Sequence, residues 1–182
     1  MNKNKLSIAL LLLILLSAGS ASAHAQVVPS AFHNPISLNV GAIGSVFSPD
    51  YGPNKLAGFG AFVDLNVFHG IGVEGEGRWL RFNQFENINQ DNYLVGPRVK
   101  LHPLWRLQPY GKVLGGTSHM IFQDHVFSGH FTTVAFGGGV DIHVRRKWTL
   151  RAIDYEYQYW PNFFGTHLSP NGVSAGVSYR IF

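Results

Sequence analysis

Apolar and polar residues alternate along most of the chain after residue 35. In the stretch 36–47, for example, Leu38 and Val40 fall on one side, and Ser37 and Asn39 fall on the other. A period of two residues is typical of a β-strand with one apolar face. Eight stretches follow this pattern: 36–47, 56–67, 71–82, 93–101, 108–116, 132–144, 149–160 and 171–182. No helical period of comparable length accompanies them, so the pattern predicts an all-β fold.

The connections between these stretches alternate in length. The long connections are 48–55, 83–92, 117–131 and 161–170, and the short ones are 68–70, 102–106 and 145–147. Long loops at one end and short turns at the other are typical of an up-and-down barrel. We therefore predict a single folded domain, residues 36–182, with the architecture of an eight-stranded antiparallel up-and-down β-barrel.

The first 25 residues have the features of an export signal. Lys3 and Lys5 precede an apolar run, 6–16, and small residues then allow cleavage after Ala23 or Ala25. The sequence thus predicts a signal peptide over 1–25 and a lead-in segment over 26–35. Because the chain contains no cysteine, the exported domain must close by other means than disulfides.

The charge composition argues against one class of partner. The chain has 14 Lys and Arg and 10 Asp and Glu, and without Lys3 and Lys5 the balance is 12 to 10. Nucleic-acid binding normally needs a strongly basic surface, so this balance speaks against it.

Alternation alone does not say which face of the barrel lies inside. A soluble barrel turns its apolar face inward, whereas a membrane barrel turns it toward lipid. The polar face carries balanced opposite charges, which could pair across a narrow lumen, although a solvated outer face would also explain them. The predicted lumenal charge network consists of Asp64, Glu74, Glu76, Arg78, Arg98, Lys100, Lys112, Asp141, Arg145, Asp154, Glu156 and Arg180.

Aromatic residues near the strand ends favour the membrane alternative. Such rings concentrate at bilayer interfaces and form two girdles around a membrane barrel. The predicted girdle residues are Trp79, Tyr93, Trp105, Trp148, Tyr157, Tyr159 and Trp160. Arg81 and Arg151 interrupt the apolar face, and we expect their long side chains to reach toward headgroups. Together with the export signal, these features predict a transmembrane β-barrel.

Five segments carry a resemblance to a known family. They are GVEGEGRWL (72–80), QPYGKVLGG (108–116), AFGGGVDIHV (135–144), LRAIDYEYQYW (150–160) and GVSAGVSYRIF (172–182). In this order they resemble the small eight-stranded outer-membrane β-barrels of Gram-negative envelopes, the OmpA-type and OmpX-type proteins. The resemblance implies a monomer in the outer membrane, in contact with lipid and lipopolysaccharide and with both termini in the periplasm.

The same resemblance implies how the chain reaches its membrane. In this family the barrel-assembly machinery reads the last strand and its terminal aromatic residue, after periplasmic chaperones have carried the chain. Tyr179, Ile181 and Phe182 would form this C-terminal insertion signal, with Phe182 out of phase with the other two.

An eight-stranded barrel has a lumen only wide enough for its own side chains. We therefore expect a filled polar lumen and a structural or surface-interaction role through the long loops. The alternative is a narrow or gated transport element. A soluble ligand-binding barrel and a lipid A-modifying enzyme are weaker candidates.

Two loop segments carry candidate chemistry. His119, Asp124, His125 and His130 could offer zinc or copper ligands, but their spacing matches no closed site. His167 and Ser169 are similar to the Ser–His pattern of outer-membrane lipid A deacylases, yet Ser-Pro-Asn-Gly is ordinary turn chemistry. We therefore predict no catalytic residue, no metal site and no cofactor.

Overall fold

The computed structural model describes residues 36–50, 55–82, 88–122, 127–163 and 166–182. The predicted signal peptide, 1–25, and lead-in segment, 26–35, lie outside these residues. Within the described part of the chain, no helix is long and apolar enough to cross a membrane.

The described residues form nine strands, all paired with antiparallel neighbours. They are β1 (Ser37–Ser48), β2 (Leu56–Phe68), β3 (Ile71–Phe82), β4 (Asn89–Lys100), β5 (Leu107–Phe122), β6 (Phe127–His143), β7 (Trp148–Phe163), β8 (Thr166–Leu168) and β9 (Asn171–Arg180). Each strand from β1 to β7 pairs with the next, and β9 pairs with both β7 and β1. These contacts close an eight-stranded barrel, with the short β8 paired to the end of β7, and confirm the predicted fold.

Several strands extend beyond the alternating stretches of the sequence. The predicted loop 117–131 is largely a paired hairpin, because β5 continues to Phe122 and β6 begins at Phe127. β4 likewise begins at Asn89 rather than at Tyr93. Two strands can pair their backbone groups whatever side chains they carry, so alternation ends before the ladder does.

The last strand ends at Arg180, two residues before the predicted end. Its backbone nevertheless continues to contact β1. The Ile181 N–H donates to the Leu38 carbonyl at 2.8 Å, and the Leu38 N–H donates to the Phe182 carbonyl at 3.3 Å. The side chains of Ile181 and Phe182 are exposed. The closing ladder is therefore longer than the strand bounds suggest.

The two faces of the barrel differ sharply in polarity. Acidic and basic side chains such as Glu74 and Arg98 are buried inside, whereas valines and aromatic residues cover the outside. The exposed large apolar residues of the strands include Val40, Val63, Val73, Val95, Val113, Phe136, Ile153, Tyr155, Val173 and Val177. An apolar outer belt around a polar interior is the arrangement of a membrane barrel.

One irregularity in β7 changes the direction of its side chains. Val140 pairs with Ile153 but Asp141 pairs with Arg151, so Ala152 is an extra residue, a β-bulge. Ala152 and Ile153 both face outward, and Arg151 and Asp154 are both buried. The prediction that Arg151 interrupts the apolar face was therefore wrong, because the bulge turns it into the lumen.

Candidate functional site in the barrel lumen

Ten charged residues from β2 to β7 fill the middle of the lumen, and none is more than 7% exposed. We refer to this cluster as the lumen network. Its members are Asp64, Glu74, Glu76, Arg78, Arg98, Lys112, Asp141, Arg151, Asp154 and Glu156. Alternation places most of them inside, since the even-numbered positions 72–80 of β3 face inward, as do Asp64 in β2 and Arg98 in β4.

Lys112 lies at the centre of the lumen network. Its Nζ is 3.0 Å from carboxylate oxygens of both Glu74 and Glu76. Asp154 lies at 2.7 Å and Glu156 at 3.3 Å from the same nitrogen. One ammonium group thus joins carboxylates from β3 and β7, which lie on different sides of the barrel.

Two arginines extend the lumen network toward the short-turn end. Arg98 donates to Asp64 and, at 2.6 Å, to Asp141. Arg151 donates to Glu74 at 2.7 Å and to Asp154 at 3.1 Å. Both guanidinium groups also lie over aromatic rings, 3.8 Å from the centroid of Tyr110 for Arg98 and 3.7 Å from Phe62 for Arg151. Cations are attracted to the faces of such rings, so the rings complete the packing around the ions.

Arg78 extends the lumen network toward the long-loop end. It pairs with Glu76 and donates to Glu156 at 2.9 Å. Gln158 donates to Glu156 at 2.8 Å and accepts the indole N–H of Trp160 at 3.1 Å. This chain of hydrogen bonds connects the ions with an apolar layer above them.

A cluster of apolar side chains closes the lumen at the long-loop end, and we refer to it as the apolar cap. Its members are Phe47, Leu56, Leu80, Ile88, Met120, Phe131, Trp160 and Leu168. The Phe131 and Trp160 rings stack with centroids 5.6 Å apart. Trp160 was predicted to belong to the outer girdle, but it is fully buried. After the bulge, even-numbered positions of β7 face inward, and Trp160 follows Glu156 and Gln158 in that phase.

Three predicted network residues lie elsewhere. Arg145 is exposed in the turn between β6 and β7, so its prediction was wrong. Lys100 and Arg180 are half-buried at the short-turn end, and within the described residues neither has a carboxylate within 4.0 Å. The structure brings the other nine together and adds Arg151. The inward position of Arg151 results from the bulge at Ala152, which the periodicity of the sequence does not reveal.

Most of the predicted girdle residues lie on the outer surface. The Trp79 indole donates to the Tyr93 hydroxyl at 3.0 Å, and Trp105 is 90% exposed in a short turn. Trp148 packs against Tyr179, a residue of the predicted insertion signal, with ring centroids 5.1 Å apart. Amphipathic rings in these positions suit the two interfaces of a bilayer.

The candidate metal ligands fall into two places. Oxygens of Glu74, Glu76 and Asp154 lie within 4.8 Å of one another, but the ammonium of Lys112 contacts all three carboxylates. His119 and His130 are cross-strand partners with ring centroids 4.3 Å apart. Asp124 and His125, the other residues considered as ligands, lie outside the described part of the chain.

The Ser–His pattern in the last long connection has other contacts. The His167 ring lies 6.0 Å from the ring of Tyr159, and the backbone N–H of Ser169 donates to Asp50 at 3.2 Å. Among the described contacts, none joins His167 to the Ser169 hydroxyl. These contacts hold the segment of His167 and Ser169 against β7 and against Asp50.

A closed barrel with an apolar belt and an ionic interior defines a transmembrane β-barrel. The sequence profile described as "Outer membrane protein beta-barrel domain" matches residues 11–180, and the chain belongs to this family. Membership places it in the outer membrane and confirms the resemblance read from its sequence.

Solved structures of similar fold are also small outer-membrane barrels. Neisserial surface protein A is 12% identical with a TM-score of 0.60, and the alignment covers 79% of this chain and 96% of that one. The N-terminal barrel of Pseudomonas aeruginosa OprF is 13% identical, with a TM-score of 0.54 and coverages of 80% and 97%. Ail, the attachment invasion locus protein of Yersinia pestis in complex with a heparin analogue, is 20% identical, with a TM-score of 0.51 and coverages of 80% and 97%. The comparison with curated protein sequences gives no match.

Proposed function

We propose that this protein is a non-conducting outer-membrane barrel that acts structurally or through surface contacts made by its long loops. The observation that carries this proposal is the filled lumen. Lys112 and its carboxylates occupy the middle of the barrel, and the apolar cap occupies the long-loop end. Water crossing the barrel would have to displace buried ion pairs and then pass an apolar layer, and both steps are costly.

The long loops support a role at the surface. The four connections predicted to be long leave the same end of the barrel, one of them as the extended β5–β6 hairpin, and loops on a rigid scaffold are suited to binding. Ail, the attachment invasion locus protein of a similar fold, was crystallised in complex with a heparin analogue. At this level of identity the similarity concerns the fold, so an adhesive role for the present chain is a proposal that rests on the loops.

Planar-bilayer recordings test the sealed lumen. We expect the purified, refolded barrel to give no stable large conductance at moderate voltages. A barrel of the same strand number with an open lumen would serve as the positive control for insertion. Long-lived, large single-channel steps in the folded protein would refute the proposal.

A gated transport element is the alternative. Lys112 contacts four carboxylates, and Arg151 contacts two of the same residues, Glu74 and Asp154, so partners could be exchanged without leaving a charge alone. Brief, small openings that become more frequent in a Lys112→Gln variant would favour this alternative. An absence of channel openings in both the wild-type protein and the Lys112→Gln variant would favour the sealed barrel.

The remaining expectations concern assembly and partners. We infer export by the signal peptide, both termini in the periplasm, delivery by periplasmic chaperones, contact with lipopolysaccharide, and a monomeric state without enzymatic activity. Ile181 and Phe182 are exposed directly after β9, and Tyr179 is half-buried against Trp148, which supports the proposal that this end of the chain serves as the signal. A Phe182→Ala variant should reach the outer membrane less efficiently, measured by fractionation and by heat-dependent migration in gels.

A further inference from the structure

A cavity opens at the short-turn end of the lumen, beyond the lumen network. Its volume is about 290 Å³, and its lining includes Ser37, Asn66, His69, Lys100 and Arg180. Because a water molecule in the liquid occupies about 30 Å³, the cavity has room for a tetrahedral oxyanion together with several waters.

The two cations of this cavity form no ion pair with the part of the chain that the structure describes. Within the described residues, neither Lys100 nor Arg180 lies within 4.0 Å of a carboxylate. Asp64 and Asp141 act on Lys100 electrostatically, but both carboxylates are hydrogen-bonded to Arg98. Two half-buried cations, which repel each other, therefore face the cavity with unused donors.

A neutral donor in the cavity is also unused. Asn66 is only 9% exposed, and its Nδ2 amide group has no hydrogen-bond partner among the described residues. A buried donor without a partner costs free energy, so such groups are normally satisfied by protein, water or a ligand. An N–H₂ group beside two cations suits a ligand that only accepts hydrogen bonds.

The wall of the cavity is held in place by the turn between β2 and β3. His69 and Gly70 both have positive φ, 45° and 85°, as a two-residue hairpin turn of type I′ requires. The backbone N–H of Lys100 donates to the Gly70 carbonyl at 2.7 Å. This bond joins the turn to the end of β4 and so fixes the backbone that carries the Lys100 side chain.

We propose that this cavity is an oxyanion site, formed by Lys100, Arg180 and Asn66, that binds phosphate, either free or as a phospholipid headgroup. Charge-assisted hydrogen bonds from lysine and arginine are the usual means of holding phosphate. The lumen network has six carboxylates and four cations, so the two cavity cations only balance it. The affinity therefore depends on direct contacts, and we expect a Kd of about 1 mM.

Titration with inorganic phosphate tests the site. The folded protein is kept in a maltoside or amine-oxide detergent, which contains no phosphate, and amide NMR shifts are followed at constant ionic strength with chloride as the reference anion. We expect saturable shifts confined to residues around Asn66, Lys100 and Arg180. Shifts that do not saturate, or that chloride produces equally, would overturn the proposal.

Variants distinguish specific binding in the cavity from general attraction of anions to the positive charges at the short-turn end of the barrel. Lys100→Gln and Arg180→Gln should each weaken phosphate binding at least about tenfold, as loss of a charge-assisted bond predicts. The matched control is Arg146→Gln, which removes an exposed cation from a neighbouring turn and should leave binding unchanged. An equal effect of all three variants would show that the rim merely attracts anions. If a cavity variant does not fold, as judged by heat-dependent migration in a gel, the location of the phosphate-induced NMR shifts in the wild-type protein tests the site instead.

Native mass spectrometry distinguishes the two sources of phosphate. If the ligand is a headgroup, protein extracted from membranes should retain a phospholipid that Lys100→Gln loses and Arg146→Gln keeps. If no lipid is retained but inorganic phosphate binds, the site takes a free anion. Failure of both binding measurements refutes the site without affecting the sealed-lumen proposal, which conductance tests separately.

Discussion

Replacement of Lys112 by methionine should destabilise the barrel strongly. Methionine keeps most of the apolar stem and removes only the ammonium group, so the packing around the stem changes little. The change leaves four carboxylates, those of Glu74, Glu76, Asp154 and Glu156, without the cation that they share. Arg78 and Arg151 remain nearby, but each already has its own pairs in this cluster.

The magnitude follows from the distances. At about 3 Å and an effective dielectric constant of about 20, each contact contributes about 5 kcal/mol of attraction, or about 20 kcal/mol for the four contacts of Lys112. Desolvation of the ions and repulsion among the carboxylates offset most of this sum. Removing one partner of a buried pair typically costs about 3–5 kcal/mol. Because several carboxylates lose their cation at once, we expect about 4 kcal/mol for Lys112→Met.

Equilibrium unfolding by urea in lipid vesicles measures this loss, with heat-dependent gel migration as the reporter of the folded barrel. Lys55→Met removes an exposed lysine and should change the unfolding free energy by less than about 0.5 kcal/mol. Adding Glu76→Gln to Lys112→Met removes one uncompensated charge and should recover about 1 kcal/mol. A Lys112→Met protein as stable as the wild type would refute the view that the lumen ions are tightly coupled.

Three further changes test other parts of the structure. Deletion of Ala152 removes the bulge but keeps the alternation of inward and outward side chains, so the barrel should still fold, as judged by gel migration. Deletion of Tyr155 turns every later side chain of β7 to the opposite face of the sheet and should prevent refolding in the same assay. Trp160→Ala opens the apolar cap and should lower the unfolding free energy by about 3–5 kcal/mol, and the exposed neighbour Tyr159 changed to Ala should cost far less. Val177→Arg places a charge on the lipid face two residues from Tyr179, between the midplane and the interface, and should cost about 1–2 kcal/mol in the same assay.

The sequence was sufficient to predict the barrel, its eight strands and its polar interior, because a period of two residues is set by the pleat of each strand. The same periodicity places Glu74, Glu76 and Arg78 together, and the structure has all three inside. The ends of the strands were harder to predict, because the β5–β6 hairpin continues beyond the point where the apolar–polar alternation stops.

The errors in the candidate site have specific physical causes. Arg151 faces the lumen because Ala152 is bulged, and the bulge shows only in the pairing of β7 with β6 and β9, which the alternation of residue types within β7 does not report. Trp160 fits an outer girdle by residue type, but its position in phase with Gln158 places it in the apolar cap. The cavity at Lys100 and Arg180 could not be found from sequence, because alternation indicates the face of a residue but not whether its charge meets a partner.

The closure of the barrel through β1 and β9 also bears on the order of events during biogenesis. Ser45 and Ser174, hydrogen-bonded to each other at 2.8 Å, are 129 positions apart in the chain. Contacts over such a separation form slowly, since most of the chain must be ordered before they can be made. The edge of β1 therefore has no partner until β9 is in place, and before that point it is open to pairing with another chain.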